Sequence, residues 1–165
     1  MDKDFALIYE TYKTDLYRFI LSMTQNEDLA LDILQDTMLK AAESLGKFRG
    51  ECTLKTYLCT IARNEYRSYL KANRNPPLPL HELEEPAAPD DVAQQAEDRD
   101  LSMRIHCLLH RLDEPYKEVF QLRVFAELRF AESGKIFGKT ENWAGVTFFR
   151  AKKKLLAMLE EEDAK

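Results

Sequence analysis

The chain has 165 residues and a mass of 19.2 kDa, enough for one ordinary domain or two small ones. Apolar residues make up 45% of the sequence and charged residues 32%, which excludes a disordered or membrane-embedded protein. The net charge of -5 is unevenly spread: residues 46–75 carry seven basic and two acidic side chains, whereas residues 1–45 carry four and nine. A basic segment in an acidic protein indicates a nucleic-acid surface, with a solvated helix face as the alternative.

Three amphipathic helices are predicted in the first half. Apolar residues recur every three or four positions over about 4–23, 27–45 and 53–72, the period of a helix with one buried face. Asn26 and Thr53 can cap the second and third of these helices. Three such helices can close a small hydrophobic core.

Residues 76–97 differ in character, because they are rich in proline and in acidic side chains. Proline stiffness and like charges disfavour a packed structure. We therefore predict a linker between a first domain at 1–75 and a second domain at 98–165. The alternative is a structured loop on a single domain.

Further helices are predicted after the linker, over about 98–111, from a cap at Asp113, over about 130–137, and from a cap at Thr140 to about 160. The last two resemble a helix-turn-helix, in which a small residue lets the helices cross closely and a turn glycine supplies a positive φ. A plain helical hairpin is the alternative. The predicted fold class is all-α, with two small helical domains joined by a flexible linker, the second containing the helix-turn-helix.

Cysteines and histidines give no sign of a metal site or of a disulfide framework. Cys52, Cys59 and Cys107 are too few and too irregularly spaced for either. His106 and His110 could share a helix face, but no further ligand completes a metal site, so a structural role is favoured. No apolar run approaches the roughly 20 residues of a membrane span, and the N-terminus lacks the form of a signal peptide. We expect a cytoplasmic protein without a metal, a cofactor or a membrane insertion.

Five segments give the chain a resemblance to a known family. They are Leu29–Thr37 (LALDILQDT), 48–64 (FRGECTLKTYLCTIARN), 112–120 (LDEPYKEVF), 137–143 (FGKTENW) and 149–155 (FRAKKKL). In their order and spacing they resemble bacterial RNA polymerase sigma factors of the extracytoplasmic-function group, in the sigma-70 family. The resemblance covers nearly the whole chain except the linker.

The resemblance implies a promoter-specificity subunit with no enzymatic activity. Its partners would be core RNA polymerase and promoter DNA, and an anti-sigma factor is a further candidate because such factors often hold this group inactive. Residues 1–75 would correspond to sigma region 2, which binds the polymerase and melts the minus-ten element. Residues 98–165 would correspond to sigma region 4, which binds the minus-thirty-five element as duplex.

The resemblance also assigns candidate residues to each surface. Those for binding core polymerase are Asp32, Gln35, Asp36 and Lys40. Those for melting and holding the minus-ten element are Lys47, Arg49, Lys55, Tyr57, Arg63, Asn64 and Arg67. Those for the minus-thirty-five element are Lys139, Asn142, Trp143, Thr147, Phe149, Arg150 and Lys153. Trp143 could equally belong to the core or contact the polymerase.

Several positions depart from the family pattern. Ser133 stands where an apolar core residue is usual, so its hydroxyl should need a partner, such as a backbone carbonyl one turn back. Gly145 stands where a basic or polar base reader is usual, and it costs the helix up to about 1 kcal/mol. Leu54 and Tyr57 replace larger aromatics, and Cys52 replaces a commoner serine. The sequence thus determines the architecture of the protein better than it determines which promoter sequence the protein recognises.

Two other functions fit the same pattern less completely. A helix-turn-helix regulator that acts without polymerase would not need the basic, aromatic third helix. A helical adaptor would carry basic faces that are merely solvated, and its interactions would lack the steep salt dependence of phosphate contacts.

Overall fold

The computed structural model describes the backbone of residues 3–73 and 92–164, which are helical throughout apart from short connections and contain no strand. Most of the predicted linker, residues 76–91, lies outside the described residues. The helices are α1 (Lys3–Thr24), α2 (Glu27–Ser44), α3 (Leu54–Ala72), α4 (Val92–Leu109), α5 (Tyr116–Val124), α6 (Phe130–Phe137) and α7 (Glu141–Asp163), with a 3-10 turn at Leu45–Lys47. The all-α fold is confirmed. None of the helices in these ranges is long and apolar enough to cross a lipid bilayer.

Helices α1, α2 and α3 form the first domain around the apolar stripes predicted from the sequence. Leu16, Phe19 and Ile20 of α1 are buried against α2 and α3. The two predicted caps are confirmed: Asn26 Oδ1 accepts from Leu29 N at 3.1 Å, and Thr53 Oγ1 accepts from Thr56 N at 3.2 Å. Each satisfies a backbone donor that the first helical turn leaves free.

The second domain differs from expectation at two helix starts. Helix α4 begins at Val92, six residues before the predicted position, in a segment of alanine, glutamine and glutamate residues that favour helix. Helix α5 begins with Pro115 at its N-cap position, where no side chain of the capping residue accepts a hydrogen bond, so the prediction of Asp113 as the cap was wrong. Asp113 contributes its backbone carbonyl instead, which accepts from Lys117 N at 3.2 Å.

The two helical domains pack against each other. Leu122, Ala126 and Leu128 of the second domain are buried in the same apolar cluster as the stripe of α1. A second cluster, with Leu109 and Leu155 at its centre, is confined to the second domain. Sequence patterning had indicated two separate cores, because periodicity shows that a face is buried without showing which element covers it.

Helices α6 and α7 form a helix-turn-helix with the geometry expected from its glycines. Gly138 ends α6 in the left-handed conformation (φ 66°), which favours glycine. Thr140 caps α7, accepting from Trp143 N at 3.0 Å. At Gly134, a Cβ atom would lie 2.7 Å from the Thr140 carbonyl oxygen and 2.8 Å from that of Lys139. The absence of a side chain there lets α6 approach the turn closely.

Replacing Gly134 with alanine is therefore expected to destabilise the second domain by about 1–3 kcal/mol or more, since the methyl group meets backbone atoms that cannot move aside cheaply. Thermal unfolding measures the effect. Gly145→Ala is the matched control in α7, because its Cβ would meet only the Phe130 ring, at 3.5 Å. Equal midpoints for the two variants would contradict this account of the turn.

Ser133 does not make the hydrogen bond predicted for it. Its side chain is fully buried and its Oγ has no hydrogen-bond partner in the structure. The expectation of a backbone partner one turn back was therefore wrong.

Candidate nucleic-acid and protein interfaces

Helix α2 presents a polar face to solvent, opposite its buried stripe. The four residues predicted to bind polymerase lie on this face and are exposed: Asp32, Gln35, Asp36 and Lys40. Lys40 pairs with Glu65 of α3, and this contact raises the pKa of the lysine. The face also carries Leu31 and Leu39, each about half exposed. Exposed leucines flanking a polar patch are typical of a protein-protein interface.

The loop before α3 exposes two of the predicted minus-ten residues, Lys47 and Arg49. A third, Tyr57, lies behind this loop, where its ring packs on Phe48 at a centroid distance of 4.8 Å. Its hydroxyl forms a hydrogen bond with that of Ser44. Tyr57 is thus held in place by contacts that tie the loop to α2.

Two basic residues of α3, Lys55 and Arg63, are engaged within the protein. Lys55 Nζ lies 2.9 Å from Asp15 Oδ2 of α1. Arg63 Nε donates to Glu118 Oε2 of α5 at 2.8 Å, and both side chains of this ion pair are largely buried. The Arg63 guanidinium also lies over the Phe137 ring, 4.8 Å from its centroid. These contacts position Arg63 in the interface between the two domains.

The remaining minus-ten candidates, Arg67 and Asn64, are exposed on α3. Arg67 reaches the other carboxylate oxygen of Glu118 at 3.4 Å and is half exposed. Asn64 is exposed and lines an open depression between α2 and α3 with Lys40 and Lys47. This depression, of about 440 Å³, brings together residues assigned from the sequence to two different surfaces.

A buried carboxylate from the second domain occupies the start of α3. Glu132 is 5% exposed, and its Oε2 accepts from Thr56 Oγ1 at 2.9 Å and from Thr53 N at 3.4 Å. Burial opposes ionisation of Glu132, but hydrogen bonds from Thr56 and Thr53, together with the nearby Lys135, hold its pKa below the usual range. Glu132 is therefore ionised, at a helix end that favours negative charge. The sequence analysis did not single out this residue.

A polar contact on the other side completes the domain interface. The Ser22 carbonyl oxygen accepts from Gln121 Nε2 at 3.0 Å and lies 3.0 Å from His110 Nε2. Burial lowers the pKa of His110 to about 4, so its ring is neutral and Nε2 carries the donated proton. Gln25 Nε2 donates to the His106 carbonyl at 3.0 Å. The two histidines thus serve the interface, and the described residues hold no cluster that could bind a metal.

Helix α7 presents most of the predicted minus-thirty-five residues to solvent. Asn142, Phe149, Arg150 and Lys153 are exposed on it, and Lys139 is exposed in the turn before it. Lys139, Arg150 and Lys153, with the neighbouring Lys152, make no ion pair with any described residue. The four cations therefore remain available to an external anion.

Two of the residues predicted to contact bases from α7 are not exposed to solvent in the same way. Thr147 is 5% exposed and lies between Ala144 and Ala151 on the buried stripe of the helix, so its side chain does not share the solvent-facing surface of the other predicted base readers. Trp143 is partly buried and packs on Phe137, with ring centroids 5.2 Å apart. This tryptophan thus helps to join α6 and α7.

Comparison with known proteins identifies both halves of the chain. The family profile described as "Sigma-70 region 2" matches residues 8–75, and that described as "Sigma-70, region 4" matches residues 102–155. The chain is 27% identical to the ECF RNA polymerase sigma factor SigM of Bacillus subtilis, over 92% of each chain. It is 28% identical to SigV of the same organism, over 92% of this chain and 89% of the relative.

A solved structure agrees in fold. The sigma factor RpoE of Bartonella quintana, crystallised with the anti-sigma factor NepR, superposes with a TM-score of 0.74 at 22% identity, over 96% of this chain and 98% of that chain. The two-part helical fold and the paired profiles define an RNA polymerase sigma factor. The chain belongs to the sigma-70 family, in its extracytoplasmic-function group.

Proposed function

We propose that the protein binds core RNA polymerase and directs it to specific promoters, with no reaction of its own. Residues 1–75 contact the polymerase and the melted minus-ten element, and residues 98–165 hold the minus-thirty-five element as duplex. The protein acts in the cytoplasm and needs no cofactor. Relatives named as RNA polymerase sigma factors, which align over nearly the whole chain, support this assignment.

The observation that carries the proposal is the exposed face of α7. It is the second helix of a helix-turn-helix, the element that such motifs place in the major groove. Lys139, Arg150, Lys152 and Lys153 on or beside it have no acidic partner among the described residues, so they can contact phosphates. Asn142 lies exposed at its start, where base edges are contacted.

The part of the minus-ten surface formed by Arg63, Arg67 and the start of α3 becomes free only when the domains separate. Arg63 and Arg67 are bound to Glu118, and the start of α3 is bound to Glu132, so two carboxylates of the second domain take the places that strand phosphates would take. Promoter DNA competes with these carboxylates for the same cations and donors. An anti-sigma protein is a candidate partner, since the similar sigma factor RpoE was crystallised with one.

Glu118→Gln is expected to raise the affinity of the free protein for single-stranded minus-ten DNA, by up to about tenfold. The charge-assisted hydrogen bond that holds Arg63 contributes roughly 1.5 kcal/mol, and this contribution no longer opposes binding. Fluorescence anisotropy with a labelled single strand measures the change.

Glu160→Gln is the matched control, because it removes the same charge from an exposed position on α7. It should leave the affinity within about twofold of the parent protein, through the change in net charge alone. If Glu118→Gln binds the single strand no better than this control, the domain contact does not compete with DNA.

Binding in the presence and absence of core polymerase separates the proposal from its alternatives. A sigma factor should bind duplex and melted promoter fragments most tightly as a complex with core enzyme. A regulator that acts alone would bind duplex equally well without it. An adaptor would bind neither fragment with the steep salt dependence that phosphate contacts produce.

A further inference from the structure

The exposed face of α7 is unusually apolar for a helix that is to contact DNA. Phe149 is 62% exposed and Val146 is 39% exposed, and Gly145 lies one residue before Val146. With Phe130 of α6 they line an open depression of about 460 Å³. Glu141 and Asn142 form its polar edge. At Gly145 the backbone does not crowd Phe130, because an added Cβ would lie 3.5 Å from the Phe130 ring, an ordinary van der Waals distance.

The side chains of this depression restrict what it can recognise. Gly145, Val146 and Phe149 have no side-chain hydrogen-bond donor or acceptor, so they cannot pair with the polar groups of a base edge. In the major groove, the 5-methyl group of thymine is the apolar group that a base edge presents. An apolar depression on a recognition helix therefore fits thymine methyl groups.

The charges around the depression favour DNA over a protein as the occupant. Arg150 and Lys153 follow Phe149 on the same exposed face, and Lys139 precedes the helix. None of these cations has an ion-pair partner among the residues that the structure describes. Cations on both sides of the apolar floor can contact the phosphates that flank a groove, and such contacts position a helix against base edges.

We infer that Gly145, Val146 and Phe149 determine promoter specificity by contacting thymine methyl groups in the minus-thirty-five element. The inference rests on the proposed function, because it requires α7 to lie in the major groove of that element. The inference also explains why glycine stands at position 145, where a polar base reader is usual. Without a side chain, Gly145 makes no polar contact and leaves room for a thymine methyl group.

Uracil substitution tests the inference with the unaltered protein, because uracil differs from thymine only in lacking the methyl group. Promoters used by the holoenzyme are first identified from transcript starts. Each thymine of the minus-thirty-five element, on either strand, is then replaced singly by uracil. At one or two adjacent positions, holoenzyme binding should weaken about fourfold, the loss expected for one buried methyl group. Uracil in the spacer is the control and should have no effect.

Two double variants assign the effect to the depression. Val146→Ala with Phe149→Ala should bring the ratio of thymine to uracil affinity close to one. Arg150→Ala with Lys153→Ala should weaken binding to both templates and leave the ratio unchanged. Of the four substitutions, only Phe149→Ala removes ring contacts, those with Phe130 and Phe148. Thermal unfolding checks that each double variant is folded.

The outcomes distinguish the inference from the proposed function. If the holoenzyme uses promoters but no uracil substitution weakens binding, the inference is wrong and the proposed function stands. The same holds if the uracil effect persists in the Val146 and Phe149 variant. If no holoenzyme forms or no promoter is used, the proposed function itself fails.

Discussion

Replacing Asp36 with arginine is expected to abolish co-purification of the protein with core RNA polymerase. Asp36 is exposed on α2, beside Asp32 and Gln35, and its carboxylate forms no ion pair with any residue that the structure describes. Reversing its charge turns attraction to a basic partner surface into repulsion, and like charges brought together at an interface cost several kcal/mol. The fold should remain intact, because the side chain is exposed and makes no hydrogen bond or ion pair with another described residue.

Glu10→Arg is the control for this variant, since it makes the same charge change at an exposed position on α1. It should co-purify as the parent protein does. Leu31→Ala with Leu39→Ala tests the apolar part of the same face and should weaken association without lowering the unfolding midpoint, because both leucines are half exposed. Unchanged co-purification of the Asp36 variant would show that α2 is not the docking surface.

The second large effect separates the two DNA surfaces. Arg63→Ala with Asn64→Ala should leave binding to duplex minus-thirty-five DNA intact and block strand opening by the holoenzyme. A template mismatched at the minus-ten element should relieve this block, because the cost of unpairing has been met in advance. Permanganate footprinting of unpaired thymines measures opening on the two templates.

Arg150→Ala with Lys153→Ala should behave differently. It should weaken duplex binding and flatten the dependence of log affinity on log salt by about two units at most, one for each lost phosphate contact. A template mismatched at the minus-ten element should relieve this defect less than it relieves the defect of the Arg63 and Asn64 double variant. Because Arg63 also binds Glu118, Glu118→Gln is needed as a control for loosening of the domain interface. Equal relief of both double variants would mean that the surfaces are assigned wrongly.

The sequence predicted the local features of the fold well, because they depend on neighbouring residues. The caps at Asn26, Thr53 and Thr140 and the turn at Gly138 each follow from the side chain or backbone freedom of one residue. The burial of Thr147 could also have been predicted. It lies three residues after Ala144 and four before Ala151, which places all three on one helix face.

The domain interface could not be predicted in the same way. Arg63 and Glu118 are 55 residues apart, and Thr56 and Glu132 are 76 apart, so no periodicity or spacing connects them. Each of these side chains is compatible with a solvated helix face when only its own segment is considered. The exposed Leu31 and Leu39 were also missed, although their spacing of eight residues puts them on the same face as Asp32 and Asp36.

The central claim is that this chain gives core RNA polymerase its promoter specificity. The most direct measurement is transcription of genomic DNA by core polymerase reconstituted with the purified protein, followed by sequencing of the transcript starts. The account predicts discrete starts that require the protein, share sequence elements near minus ten and minus thirty-five, and disappear with Asp36→Arg. Starts that are the same with and without the protein would contradict it.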